Sequence, residues 1–246
     1  MLQYTHLLVF ELGHTCNYAD IHPLCPVSIR EKSERTLTDE LIISLAKQAY
    51  NELGFTGLIA WHFYNEPMLV WKRMLPLMEK IRKEVPKSRF LLWTNGSVLI
   101  NDPRINMFEQ VKVTDYKNRG EALYRKYYKN NLSVNPEMFD SRLTYGGTFS
   151  KRSCLRPFTE FIISSFGEVH LCCQDWQGRV KIGNVFDTDL KELDERKEKI
   201  SLSICNKMDD STPETCLRCV NRFGLNTFDP EITKRTMIFL AKANFK

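Results

Sequence analysis

The sequence has no long hydrophobic run. Its one early apolar stretch, Leu7 to Phe10, is closed at once by Glu11, which leaves neither a secretory leader core nor a membrane span of about 20 residues. Internal repeats and low-complexity tracts are also missing, so neither a solenoid nor a disordered tail is expected. These absences point to a cytoplasmic chain with no membrane partner. In that compartment thiols stay reduced, so the eight cysteines, two of them in a Cys-x-x-Cys pair, argue for metal ligation over disulfides.

With 246 residues and 43% hydrophobic content, the chain can bury one large domain or two modest ones. Its formal net charge is +5, partly from Lys117, Arg119, Arg125, Lys126 and Lys129, which alternate with Tyr116, Tyr124, Tyr127 and Tyr128. Such interleaving can grip a nucleic-acid backbone, but a solvated helix face accounts for it more simply. Nucleic acid is therefore not expected as a partner. A mild positive field equally suits an acidic electron donor.

Leu7 to Leu12 reads as a buried strand. Thr38 to Leu53 reads as a helix: Thr38 caps it, Asp39 and Glu40 suit its first turn, Leu41, Leu45, Ala49 and Leu53 share a face, and Gly54 ends it. Gly57 to Phe63 is a second strand, followed by the Tyr64-Asn65-Glu66 turn and a helix opened by Pro67. Phe90 to Trp93 and Val111 to Thr114 are the third and fourth strands, with Thr94-Asn95-Gly96 turning the chain after the third. This alternation predicts a parallel α/β sheet. It fades after about residue 118. From Thr159 the pattern changes to a hairpin, Phe161 to Ser164 and Val169 to Cys173, joined through Ser165-Phe166-Gly167. A charged helix at Leu190 to Ile200 and a cysteine-bearing loop follow. The expected division is 1–150 and 151–246.

Cys154, Cys172, Cys216 and Cys219 form a Cys-x17-Cys-x43-Cys-x2-Cys set, the four thiolates that a [4Fe-4S] cluster or a single zinc ion needs. Alternation along a strand sets Cys172 and Cys173 on opposite sides; Cys172 is taken as the ligand and Cys173 as packing. Cys205 reads as a core residue. A zinc site in a nucleic-acid module remains the alternative on spacing alone.

The runs Cys154-Leu-Arg-Pro-Phe, Gly167-Glu-Val-His-Leu-Cys172-Cys-Gln-Asp175, Ile182-Gly-Asn-Val185 and Cys216-x-x-Cys219 resemble the SPASM or twitch auxiliary-cluster domain of radical S-adenosylmethionine (SAM) enzymes. The spacing is most similar to the short twitch form with one auxiliary cluster, the deoxy-scyllo-inosamine dehydrogenase type. The resemblance implies a partial (β/α)6 TIM-like barrel followed by a small twitch domain of a β-hairpin plus helix. It also implies two [4Fe-4S] clusters and SAM as cofactors.

Such enzymes carry Cys-x3-Cys-x2-Cys after the first barrel strand. Here the loop reads Cys16-Asn-Tyr-Ala-Asp20-Ile-His22-Pro-Leu-Cys25-Pro26, and the middle cysteine is missing. Cys16 and Cys25 match the outer ligands. His22 stands before Cys25 with two residues between them, the family's Cys-x2-Cys spacing, and imidazole ligates iron–sulfur centres in Rieske sites. Asp20 is the rival, with a harder donor than iron in sulfur clusters prefers, and His14 is a further possibility. By the same resemblance, Asn65 and Glu66 occupy the Gly-Gly-Glu-Pro position that holds the SAM amino group. Thr94 and Asn95 also match the family, and Asp115 falls where the SAM ribose is contacted. Arg142 and Tyr145 are pocket candidates near an Arg-Gly-Gly segment that serves the substrate.

The implied activity is reductive cleavage of SAM to a 5'-deoxyadenosyl radical and hydrogen abstraction from a substrate. That substrate is an amino-sugar or cyclitol-like alcohol, or a peptide, and the electron donor is of flavodoxin or ferredoxin type. The alternative is a degenerate relative that binds SAM or a partner without radical chemistry and keeps the C-terminal cluster as a clamp.

Overall fold

The structure, a computed structural model, describes residues 1–20, 25–29, 33–136, 154–206, 212–219 and 230–242. Eight strands form one sheet. They are β1 (Leu7–Phe10), β2 (Leu58–Ala60), β3 (Arg89–Thr94), β4 (Phe108–Asp115), β5 (Leu132–Pro136), β6 (Glu160–Ile163), β7 (Glu168–His170) and β8 (Gly183–Asn184). Their spatial order is β5-β4-β3-β2-β1-β6-β7-β8. From β5 across to β6 every pairing is parallel, and β7 and β8 are antiparallel additions. The described helices are α1 (Pro26–Ile29), α2 (Asp39–Asn51), α3 (Trp71–Glu84), α4 (Glu121–Tyr124), α5 (Arg156–Thr159), α6 (Leu190–Asn206), α7 (Glu214–Leu217) and α8 (Pro230–Lys242). None is long and apolar enough to cross a membrane.

The expected α2 starts as its residues dictate. Thr38 lies in extended backbone and its hydroxyl accepts from the Leu41 amide at 3.2 Å. That satisfies one of the donors a helix leaves bare. Ile42, Leu45, Ala46 and Ala49 are buried, a stripe that seats α2 against the sheet.

Strand residues divide between two faces. Leu8, Phe10, Ile59, Trp61, Phe90 and Leu92 join the main core with the helices. Val9, Ala60, Leu91 and Ile162 point the other way and pack with Phe63, Tyr64 and Trp176 into a second, inner cluster. Both faces are thus covered, as a parallel sheet requires. Trp61 stacks on Phe90 with centroids 6.0 Å apart. Each such buried ring contributes roughly 1.5–3 kcal/mol by area.

The sequence expected the 161–173 hairpin to begin a separate grammar. The hairpin is present, with Gly167 at φ 78° in its turn. Yet β6 also pairs in parallel with β1 along its whole length, Leu7 opposite Glu160 through Phe10 opposite Ile163, so the sheet runs unbroken into the C-terminal part. The fifth strand, which the fading pattern after residue 118 concealed, is β5, short and at the sheet edge. The tyrosine-rich stretch differs from a solvated helix face. It holds only one helical turn, α4, while Tyr124 and Tyr128 are buried in the main core. Arg119 donates to the Tyr124 hydroxyl and to the Gly96 carbonyl.

Candidate active site

Parallel strands end on one edge, where loops from several of them converge. Cys16 follows β1, Asn65 and Glu66 follow β2, Thr94 ends β3 ahead of Asn95, and Asp115 ends β4. Hydrogen bonds join these loops. Glu66 donates its amide to the Thr15 carbonyl at 2.9 Å. Its buried carboxylate accepts from the Thr94 hydroxyl at 2.6 Å, the Met68 amide at 2.9 Å and the Asn95 amide at 2.7 Å. Burial pushes the Glu66 carboxyl up, and these three bonds oppose it. Glu66 therefore ties together the ends of β1, β2 and β3.

Asn95 extends the network to the first loop. Its side-chain Nδ2 donates to Asn17 Oδ1 at 2.9 Å and reaches Cys16 Sγ at 3.8 Å; the Tyr18 backbone amide meets the same sulfur at 3.4 Å. Burial first, then the charges of Glu66 and Cys25, raise the Cys16 thiol against the Tyr18 and Asn95 bonds. Cys16 and Cys25 thus sense one another, and Cys25 packs on the inner cluster. Asn65 turns inward, accepting from the Phe63 amide and donating to the Trp61 carbonyl. Asp115 is buried and accepts from the Gly120 amide at 2.9 Å and the Tyr124 hydroxyl at 2.8 Å. Asp20 is exposed, and the His14 ring lies 5.5 Å from Phe166. His22, Arg142 and Tyr145 lie outside the described residues.

The four C-terminal cysteines border one cavity, although among the described residues no three His, Cys, Asp or Glu side chains are grouped closely enough to hold a metal ion. Cys154, Cys172, Cys216 and Cys219 line one cavity with Arg156 and Asp175, brought there by the loop before α5, the segment just after β7, α7 and the turn that follows α7. Cys172 is buried. Burial, then Cys173, Glu160, Cys216 and Cys154, push its thiol well above the ordinary range. Thiols so crowded and so dry become ligands when a bound metal supplies positive charge. Cys173 turns away from the cavity and packs on the inner cluster, with its sulfur 2.9 Å from Arg156 Nη1. Cys205 is buried in the main core.

Several participants lie beyond the sequence motifs. Glu11, at the end of β1, accepts from the Tyr64 amide at 3.2 Å and the Ser165 amide at 2.9 Å, so one buried carboxylate bridges the β2 turn and the hairpin. Its signal was a charge closing an apolar strand. Tyr64 donates its hydroxyl to the Cys173 carbonyl, a second bridge between the halves. On the inner face the His62 and Trp93 rings lie 5.1 Å apart, Trp93 Nε1 donates to Thr114 at 3.0 Å, and the Lys112 ammonium lies 5.3 Å from the Trp93 ring.

Comparison with known proteins agrees with this arrangement. Residues 154–220 match the SPASM iron–sulfur cluster-binding domain. Over 206 residues the chain is 20% identical to the S-adenosyl-L-methionine-dependent 2-deoxy-scyllo-inosamine dehydrogenase of Niallia circulans, covering 76% of this chain and 81% of that one. The crystal structure of BtrN in complex with AdoMet and 2-DOIA superposes with a TM-score of 0.67 at 17% identity, over 88% of this chain and 93% of BtrN. Native anSMEcpe with bound AdoMet and Cp18Cys peptide gives 0.56 at 15%, over 97% and 98%. This chain has the fold of the radical SAM enzymes, a partial barrel that carries an iron–sulfur cluster-binding SPASM domain at its C-terminal end.

Proposed function

We propose that the protein is a radical SAM oxidoreductase acting on a small alcohol of the amino-sugar or cyclitol kind. The observation that carries this reading is the arrangement of Cys154, Cys172, Cys216 and Cys219 around one cavity, while Cys16 follows β1 at the edge where the parallel strands end and Cys25 packs on the inner cluster. The 1–150 and 151–246 parts divide the work between SAM cleavage and the auxiliary cluster.

Cys16, Cys25 and His22 would hold the first cluster, and the four C-terminal cysteines would hold the second. With clusters and SAM bound, the site supplies one-electron cleavage of SAM to methionine and a 5'-deoxyadenosyl radical that takes a hydrogen atom from the substrate. The chain's own residues position the reactants. The Asn65-Glu66 turn offers backbone carbonyls to the SAM ammonium, and the Glu66 bonds to Thr94 and Asn95 hold that turn in place. Asp115, oriented by Gly120 and Tyr124, is assigned to the ribose hydroxyls. His62, Trp93 and Lys112 are assigned to one wall of the substrate chamber, and Arg142 and Tyr145 remain candidates for contacting the substrate. A cytoplasmic flavodoxin or ferredoxin supplies the electron.

The missing middle cysteine favours one competing reading, a SAM-binding relative without radical chemistry. Anaerobic reconstitution separates the two. The proposed enzyme holds about eight iron atoms in two clusters and releases 5'-deoxyadenosine from SAM when reduced. Iron confined to the C-terminal cysteines, with no deoxyadenosine, establishes the competing reading. Deoxyadenosine whose formation responds to a peptide and not to cyclitols moves the substrate to the peptide class.

A further inference from the structure

Helix α6 presents Leu193, Lys197, Ser201 and Ile204 to the interior, each with no exposed surface. Three of these suit a core stripe, and the lysine does not. Its ammonium donates to the carbonyl of Leu171, the residue before Cys172, and lies 6.0 Å from the Phe161 ring. Among the described residues no carboxylate reaches it at ion-pair distance. Glu160, Asp194 and Asp175 act from farther away, as does Cys172, and burial draws the amine down to about 8. A buried ammonium without an adjacent counter-ion is strongly destabilising. Arg156, which lines the cavity, differs because Glu160 stands 3.9 Å from it.

A cluster held by four thiolates is net anionic, and it gains a further negative charge on reduction. A fixed cation in a dry surrounding therefore stabilises the reduced form more than the oxidised one, since net charge and hydrogen bonding set such potentials. Screening by solvent, which weakens surface charges, is excluded around Lys197. Resting on the reading of Cys154, Cys172, Cys216 and Cys219 as cluster ligands, we propose that Lys197 is a positioning residue for charge: its ammonium, enclosed behind Cys172, raises the reduction potential of the auxiliary cluster and so prepares it to accept an electron.

The test is a dithionite titration, followed by electron paramagnetic resonance, of full-length protein. Cys16→Ala and Cys25→Ala are included so that one cluster remains. The proposal expects a more negative midpoint in Lys197→Met and in Lys197→Gln, which keeps a donor for the Leu171 carbonyl but has no charge. It expects little change in Lys197→Arg, and none in Lys199→Met, which removes the same charge from the exposed face of α6. Equal midpoints in all variants overturn it. So does a shift in Lys197→Met that Lys197→Gln abolishes, which makes the hydrogen bond the cause. Failure of both neutral variants to load iron that Lys197→Arg retains assigns a structural role and also overturns it. Absence of iron from the parent protein overturns the cluster reading itself, an outcome read by metal analysis before any titration.

Discussion

Tyr124 donates its hydroxyl to Asp115 at 2.8 Å, and burial, aided by that bond, pushes its own pKa up to about 12. It is thus a fixed donor at any physiological pH. Burial alone would raise Asp115, but bonds from the Gly120 amide, the Tyr124 hydroxyl and the Arg119 and Lys117 amides outweigh it and leave the carboxyl lowered. A carboxyl lowered in the folded state stabilises the protein above its unfolded pKa and loses that contribution as the pH falls through the folded value. Asp115→Asn is expected to cost about 1–3 kcal/mol at pH 7. In urea titrations the difference from wild type should shrink once the pH drops below 3.8, the ordinary aspartate value. A pH-independent difference would contradict the assignment. The cysteines and Glu66 were legible because their neighbours in sequence define the motif. Glu11 and Lys197 were not, because their partners lie 154 and 26 residues away and only the folded chain brings them together.

Among the elements, β2 owes its place to Gly57. A Cβ there would collide with the carbonyl oxygen of His6, the same oxygen that accepts from the Leu58 amide at 2.8 Å. The close approach of β1 and β2 therefore requires a residue without a side chain. Gly57→Ala is expected to destabilise the protein by about 1–3 kcal/mol, as overpacking does, and to weaken SAM binding because Cys16 and Glu66 follow these two strands. Thermal unfolding and SAM titration check this, and unchanged melting would refute it. Strands β1 to β4 were readable from alternation with helices and from buried apolar runs. Strand β5, Leu-Ser-Val-Asn-Pro, carries polar residues and a proline at the sheet edge, and its apolar signal is correspondingly thin. The tyrosine stretch misled for the opposite reason: its charges suggested solvent, while Tyr124 and Tyr128 supply core volume.

For the molecule as a whole, the two cysteine groups are separable in chemistry. Cys216→Ala should remove about four iron atoms while leaving the Cys16 site loaded, and Cys16→Ala should do the reverse. Iron analysis with deoxyadenosine release reads both, and loss of all iron from either variant would show that the sites load as a unit. The C-terminal variant is also expected to melt at a lower temperature, since metal bound only by the folded state adds its binding energy to stability.

The backbone ladder from Leu7–Glu160 to Phe10–Ile163 has a practical corollary. A single peptide-bond cleavage between β5 and β6 would not set the two fragments free, because the later one supplies the neighbour on which β1 lies. Nicked protein should elute from a sizing column as one species and part only in denaturant. Two separately expressed pieces, 1–136 and 154–246, are suited to reassemble when mixed.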